Sequence, residues 1–156
     1  MSHGFAKALR YSLLAGSTYF AGVALVHALC LKLPGLYVYF NVPSNRYQDG
    51  IISFLCVGWS TMFFAASRER SDGRQATFAS LISGMFAIIG LALINIGTDF
   101  HLLAPEVSPA VYWMPVMIGG GYWFLLASLV YLTRKTIQPN QAPEATPTAG
   151  AAHPYR

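Results

Sequence analysis

The sequence predicts an all-α membrane protein, a four-transmembrane-helix antiparallel bundle whose N- and C-termini are both cytoplasmic. Three observations predict it: the chain is poor in charge, it contains four long uncharged runs, and its basic residues gather on one side of those runs. Only 10% of its 156 residues are charged and 54% are hydrophobic, whereas a soluble domain carries about 25% charged residues. Because so few charges cannot cover a surface in water, a lipid bilayer is the expected solvent.

The uncharged runs define the expected helices. Each run contains between 18 and 27 residues without Asp, Glu, Lys or Arg, and a helix needs about 20 residues to cross the hydrocarbon core. Lipid offers backbone amides no partner, so each run is expected to be helical. The predicted layout is a cytoplasmic lead over 1–10, a four-helix transmembrane domain over 11–135 with helices at about 11–33, 50–67, 76–97 and 112–133, and a disordered Pro/Ala-rich cytoplasmic tail over 136–156.

The distribution of basic residues predicts the orientation. Eight of the ten precede the first run, separate the second from the third, or follow the fourth, and only Lys32 and Arg46 lie on the other side. Basic residues favour the cytoplasmic face, so we expect a multi-pass protein of a bacterial inner (cytoplasmic) membrane, although a thylakoid membrane fits the same topology. The formal charge of +4 is then a topology signal, and no nucleic-acid partner is expected.

Small residues recur at helical spacing within the runs. Such residues let two helix backbones approach closely, so they predict packing faces. The predicted packing positions are Ser17, Ala21, Ala24, Ala28, Gly84, Ala87, Gly90, Gly119 and Gly120. A second stripe, Asp49, Ser53, Cys56 and Ser60, is expected to face a neighbouring helix rather than lipid. The expected partners are the lipid bilayer and other membrane-protein subunits or further copies of the chain.

Polar side chains gather toward the outer ends of the predicted helices. The candidate outer-face polar site consists of His27, Arg46, Asp49, Asn95, Asp99 and His101. His27 lies about 9 Å below the expected helix end, and an ionisable residue at membrane depth indicates function by default. With two carboxylates it can form a proton-transfer site, a quinone headgroup pocket or a metal site. The structural alternative is that His27 bonds a backbone carbonyl while Asp49 and Asp99 cap helices.

Several kinds of chemistry have no motif in the chain. Zinc-peptidase, phosphate-loop, nucleophile-elbow and dinucleotide fingerprints are absent from the sequence, and no ligand-pair spacing predicts a metal site. No catalytic residue is predicted. Cys30 and Cys56 can either pair or pack as inert thiols. The runs also carry no charge near their middle, where ion-coupled carriers place one.

Three functions remain after these exclusions. The first is a small, non-catalytic accessory or assembly subunit of a membrane complex, because packing faces are abundant and catalytic motifs are absent. The second is a redox or proton-transfer component that binds a quinone-like ligand at the outer membrane face, because ionisable groups converge there. The third is an oligomeric small-solute transporter, against which the uncharged helix centres argue.

Overall fold

The computed structural model describes residues 2–37, 44–69 and 74–137, and helices are the only regular secondary structure in these ranges. The described helices are α1 (Ser2–Ala28), α2 (Arg46–Arg68), α3 (Gln75–Gly97), α4 (Phe100–Leu103) and α5 (Pro109–Ile137). All except α4 are long and apolar enough to cross a membrane. The prediction of an all-helical chain with four membrane-length helices is therefore confirmed. The predicted tail beyond residue 137 lies outside the described residues.

Helix α1 begins at Ser2 rather than near residue 11 and includes most of the segment expected as a lead. Phe5, Leu9 and Leu13 share one helical face. Leu9 and Leu13 are buried in the main core, and Phe5 packs against it. Lys7 and Arg10 lie off this face and are exposed. The apolar stripe therefore extends the helix past Lys7 and Arg10, the charges expected to precede it.

The C-terminus of α1 is closed by a left-handed residue. Cys30 has φ 53°, its N–H donates to the His27 carbonyl at 3.2 Å, and the N–H of Leu31 donates to the Val26 carbonyl at 2.8 Å. These two bonds form the Schellman arrangement, in which the left-handed position usually holds glycine. The helix therefore ends at Ala28, five residues before the predicted end.

The chain then turns back along α1. Gly35 has φ 79°, a conformation that glycine adopts without steric cost. The Tyr19 hydroxyl donates to the Gly35 carbonyl at 3.1 Å, and the N–H of Tyr37 donates to the Leu33 carbonyl at 2.9 Å. Residues 29–37, which we call the returning segment, thus bring Tyr37 beside the last turn of α1.

Helix α2 begins at Arg46, earlier than the predicted residue 50, because Asn45 and Gln48 form a capping box. The Gln48 N–H donates to the Asn45 side-chain oxygen at 2.9 Å, and the Asn45 N–H donates to the Gln48 side-chain oxygen at 3.3 Å. Such reciprocal bonds satisfy two amides that the helix start would leave without partners. Asp49 therefore lies inside the first turn, and its side chain is buried.

The stripe of Asp49, Ser53, Cys56 and Ser60 faces α1, as its spacing predicts. Ser53 Oγ donates to the Ala24 carbonyl at 2.9 Å, and Ser60 Oγ donates to the Ser17 carbonyl at 2.9 Å. Cys56 packs with buried residues of α1. Short hydroxyl side chains that bond the neighbouring backbone hold two membrane helices close together.

All four long helices contribute to one apolar core. Its buried members are Leu9, Leu13, Phe63, Ala66, Leu81, Trp123, Leu126, Leu129 and Val130. Phe63 is fully buried and meets the Trp123 ring edge-on, with the ring centres 5.5 Å apart. The indole of Trp123 in turn covers Gly84 of α3 so closely that an added Cβ would overlap it. Gly84 is therefore required for the contact between α3 and α5.

Helix α5 begins at Pro109, three residues before the expected start near residue 112. Proline is well tolerated at the first helical position because its missing N–H would have no partner there. Pro115 consequently lies inside the helix. Asn95 Nδ2 donates to the Tyr112 carbonyl at 3.0 Å and ties this first part of α5 to α3.

We predict that Gly84→Ala lowers the free energy of unfolding by about 1–3 kcal/mol, because overpacking forces the Trp123 ring to move. Gly120→Ala is the matched control, since a Cβ at Gly120 meets nothing within 4 Å, and it should be neutral or raise stability by up to about 1 kcal/mol. Unfolding in mild detergent measures both variants. Equal stability of the two would contradict the close packing of Gly84 against Trp123.

Candidate functional site

A buried polar cluster joins the end of α1, the returning segment and the first turn of α2. His27 Nδ1 lies 2.9 Å from Asp49 Oδ1, and the Tyr37 hydroxyl donates to Asp49 Oδ2 at 2.8 Å. The Tyr37 hydroxyl also lies 2.8 Å from Ser44 Oγ. We call His27, Tyr37, Ser44 and Asp49 the His27 cluster. Residue exposures of 1% for His27, 3% for Asp49 and 4% for Tyr37 show that its ionisable members are withdrawn from the surface.

Tyr37 holds the cluster together in two ways. Its ring stacks on the His27 imidazole, with the ring centres 4.3 Å apart and the planes 13° from parallel. Its hydroxyl bonds the same carboxylate that His27 bonds. The imidazole is therefore fixed in orientation by a ring on its face and by a carboxylate at Nδ1. The capping box of α2 directs that carboxylate inward, and the turn at Gly35 brings the ring into place.

The roles of donor and acceptor follow from the carboxylate. An ionised Asp49 only accepts, so His27 Nδ1 and the Tyr37 hydroxyl both donate to it. Tyr37 has one proton, so its oxygen accepts from Ser44. The hydrogen bond with Ser44 lowers the pKa of Tyr37, while burial and the Asp49 carboxylate raise it, and the balance leaves the pKa above its ordinary value. The phenol therefore stays protonated at neutral pH and remains a donor.

The other residues of the predicted outer site lie in separate contacts. Asp99 caps α4, where its carboxylate accepts from the His101 N–H at 3.0 Å, and both residues are exposed. Asn95 donates to the Tyr112 carbonyl, and Arg46 is exposed in the first turn of α2. The structure thus joins His27 with Asp49 and places Asp99 and His101 in a second hydrogen-bonded group.

The predicted packing residues also divide into two sets. The buried ones are Ser17, Ala24 and Gly84, and a Cβ built on Gly119 would lie 3.8 Å from Ile88 Cγ1. The exposed alanines are Ala21, Ala28 and Ala87, and the glycines with open space for a Cβ are Gly90 and Gly120. About half of the predicted packing positions therefore make contacts within the chain, and the others face open space or are exposed.

The geometry of the His27 cluster defines its chemistry. A phenol, a carboxylate and an imidazole in continuous hydrogen-bond contact can stabilise a charge or pass a proton between neighbouring groups. Among the described residues, no group of three or more His, Cys, Asp and Glu side chains is placed to hold a metal ion. Cys30 and Cys56 are free thiols, the first exposed and the second buried.

We predict that the cluster stabilises the fold cooperatively. Asp49→Asn should lower the free energy of unfolding by about 1.5–3 kcal/mol, because it removes the charged acceptor that His27 and Tyr37 share. Tyr37→Phe keeps the stacked ring and loses one bond to a charged group, which costs about 1.5–3 kcal/mol. The double variant should show a coupling energy of about 0.5–3 kcal/mol. Unfolding of all four proteins in mild detergent completes the cycle.

Tyr47→Phe is the control for the loss of a hydroxyl, since Tyr47 is 78% exposed. It should change stability by no more than about 0.5 kcal/mol. Strict additivity of Asp49→Asn and Tyr37→Phe would show that the two side chains act independently and would contradict a shared hydrogen-bond network.

Tyr37 and Ser44 are the members of the cluster that the candidate site lacked. Tyr37 reads in the sequence as one aromatic residue of an interfacial segment, and only the turn at Gly35 connects it with His27. No protein-family model, curated protein or solved structure matches this chain significantly.

Proposed function

We propose that this chain is a multi-pass protein of a bacterial inner membrane and crosses it as an antiparallel four-helix bundle with both termini in the cytoplasm. The order of contacts between α1 and α2 supports opposite helix directions, because Ala24 meets Ser53 and Ser17 meets Ser60. Lys7 and Arg68, which are far apart in sequence, line one cleft at the same end of the molecule. Such a basic end favours the cytoplasmic side.

Within this membrane we assign the chain the role of a non-catalytic accessory or assembly subunit that binds other membrane helices. The observation that carries the role is the uncovered face of α3. Only 17% of its most apolar stretch is buried within the chain, compared with 22% for α2 and 33% for α1 and for α5. This face presents large apolar side chains, among them Phe86 and Ile94, to whatever surrounds the protein.

The same face of α3 carries a continuous row of small residues. Ala79, Ser83, Ala87 and Gly90 follow one another at spacings of four, four and three residues, so they lie on one side of the helix. The first three are exposed, and a Cβ at Gly90 meets nothing within 4 Å. Small residues on an uncovered face let a second helix approach the backbone closely. The row therefore supports docking of a partner helix or of another copy of this chain.

We predict that Gly90→Leu weakens this association about tenfold or more, because the larger side chain keeps the partner helix away. Gly58→Leu on α2 is the matched control, since it also enters open space, and it should leave the association unchanged. The native mass of the protein in mild detergent measures the effect. A wild-type protein that is always a lone monomer would contradict the assignment.

A second function is favoured by the His27 cluster. A connected tyrosine, aspartate and imidazole at the outer end of two membrane-length helices fits a redox or proton-transfer component with a quinone-like ligand nearby. In this function His27 exchanges the proton, and Asp49 and Tyr37 stabilise its charge.

We predict for this second function that the gently purified protein carries about one extractable quinone per chain, as expected for a single site. His27→Ala and Asp49→Asn should both lose it, while Tyr131→Phe, an exposed change on α5, should retain it. Extraction followed by absorption spectroscopy measures the content. A protein free of quinone, or variants that retain it at the wild-type level, would remove this function.

A further inference from the structure

The end of the molecule opposite the His27 cluster contains a cleft of about 440 Å³. It lies between the first turns of α1, the end of α2 and the residue that precedes α3. Volumes of about 300–1,000 Å³ are typical of small-ligand sites. The charged side chains that line it are Lys7, Arg10, Arg68, Glu69 and Arg74, four cations and one carboxylate. The cleft therefore has the electrostatic character of an anion site.

Arg74 is the unusual member of this set. The residue is only 9% exposed, and within the described part of the chain its buried Nε has no hydrogen-bond partner. A buried donor without a partner is costly, more so when it belongs to a charged group. Burial lowers the pKa of Arg74, Glu69 opposes this change, and Arg134 adds to it. A guanidinium nevertheless stays charged in proteins, so Arg74 offers a buried cation to the cleft.

The one carboxylate among the described residues that line the cleft forms its hydrogen bonds at the start of α3. Glu69 accepts from the N–H of Ala76 at 2.9 Å and from the N–H of Thr77 at 3.3 Å, and it also accepts from the Thr77 hydroxyl at 3.3 Å. It thereby caps the start of α3, where the exposed amides favour a negative charge. Among the described residues no acidic side chain lies within ion-pair distance of Arg74.

The other cations come from two different helices. Lys7 and Arg10 are three residues apart on α1, a spacing that places side chains next to each other, and both are exposed at the cleft. The Arg68 guanidinium lies over the Phe64 ring, 5.0 Å from its centre, at the end of α2. The cations that line the cleft therefore come from α1, from α2 and from the residue that precedes α3.

We propose that this cleft binds a phosphate group, carried by an anionic lipid headgroup or by free phosphate. Guanidinium groups present paired N–H donors that fit phosphate oxygens, and bonds between two charged groups are stronger than neutral ones. Basic pockets between membrane helices on the cytoplasmic side are suited to anionic headgroups. The bound phosphate supplies the acceptor that Arg74 Nε lacks within the described chain. The site is independent of the His27 cluster and of the uncovered face of α3.

The test uses the full chain purified in a neutral detergent. Native mass spectrometry measures binding of phosphatidylglycerol and of zwitterionic phosphatidylcholine, and thermal unfolding measures the effect of inorganic phosphate. We expect phosphatidylglycerol to bind about tenfold or more tightly than phosphatidylcholine. Both lipids carry a phosphate, but the quaternary ammonium of phosphatidylcholine brings a like charge close to the cations of the cleft. Stabilisation by inorganic phosphate alone identifies free phosphate as the source, and selectivity for the anionic lipid without such stabilisation identifies the headgroup.

Arg74→Gln should remove the preference for phosphatidylglycerol or the response to phosphate. Lys32→Gln is the matched control, because Lys32 is an exposed cation outside the cleft, and it should retain both. If Arg74→Gln does not fold, the double variant Lys7→Gln with Arg10→Gln tests the same prediction. Both side chains are exposed, so their replacement should leave the fold intact. Equal binding of the two lipids without any effect of phosphate, or equal losses in the cleft variants and in Lys32→Gln, would overturn the proposal.

Discussion

The hydrogen bond between His27 and Asp49 is the constraint on which the arrangement of α1 and α2 depends. It lies at the end of two apolar helices, where a polar group without a partner would be costly. Tyr37 reaches the same carboxylate from the segment that joins the helices. The Asp49 side chain therefore connects α1, the joining segment and α2. Ser53 and Ser60 continue the polar contacts along α2. The first two helices thus form a unit held by specific bonds as well as by packing.

The remainder of the molecule depends on shape more than on polar contacts. Helices α3 and α5 meet where the Trp123 ring covers Gly84, and the opposite side of α3 is left apolar and uncovered. Charge is divided between the two ends, with the enclosed His27 cluster at one and the basic cleft around Arg74 at the other. The described chain thus combines a helix pair held by specific bonds, an apolar face of α3 that its other helices leave largely uncovered, and a basic end.

The uncharged runs were sufficient to predict four membrane-length helices, because lipid leaves a long apolar segment no other backbone structure. The helix ends required more local information. Arg10 bounds the first uncharged run, but Leu9 belongs to an apolar face that continues past it. The residues of the capping box, Asn45 and Gln48, are visible in the sequence, and their pairing accounts for a start of α2 at Arg46 rather than at the expected residue 50. The place of Tyr37 in the site was not predictable, since it depends on tertiary contacts of the turn after α1.

The most direct test of this account is a distance measurement between His27 and Asp49 in the full chain within a lipid bilayer. Solid-state NMR with ¹⁵N-labelled histidine and ¹³C-labelled aspartate detects the through-space contact between imidazole and carboxyl groups. The account predicts a correlation between His27 Nδ1 and the Asp49 carboxyl carbon that disappears in both His27→Gln and Asp49→Ala. A His27 imidazole that contacts only lipid or water, with no correlation to Asp49, would contradict it.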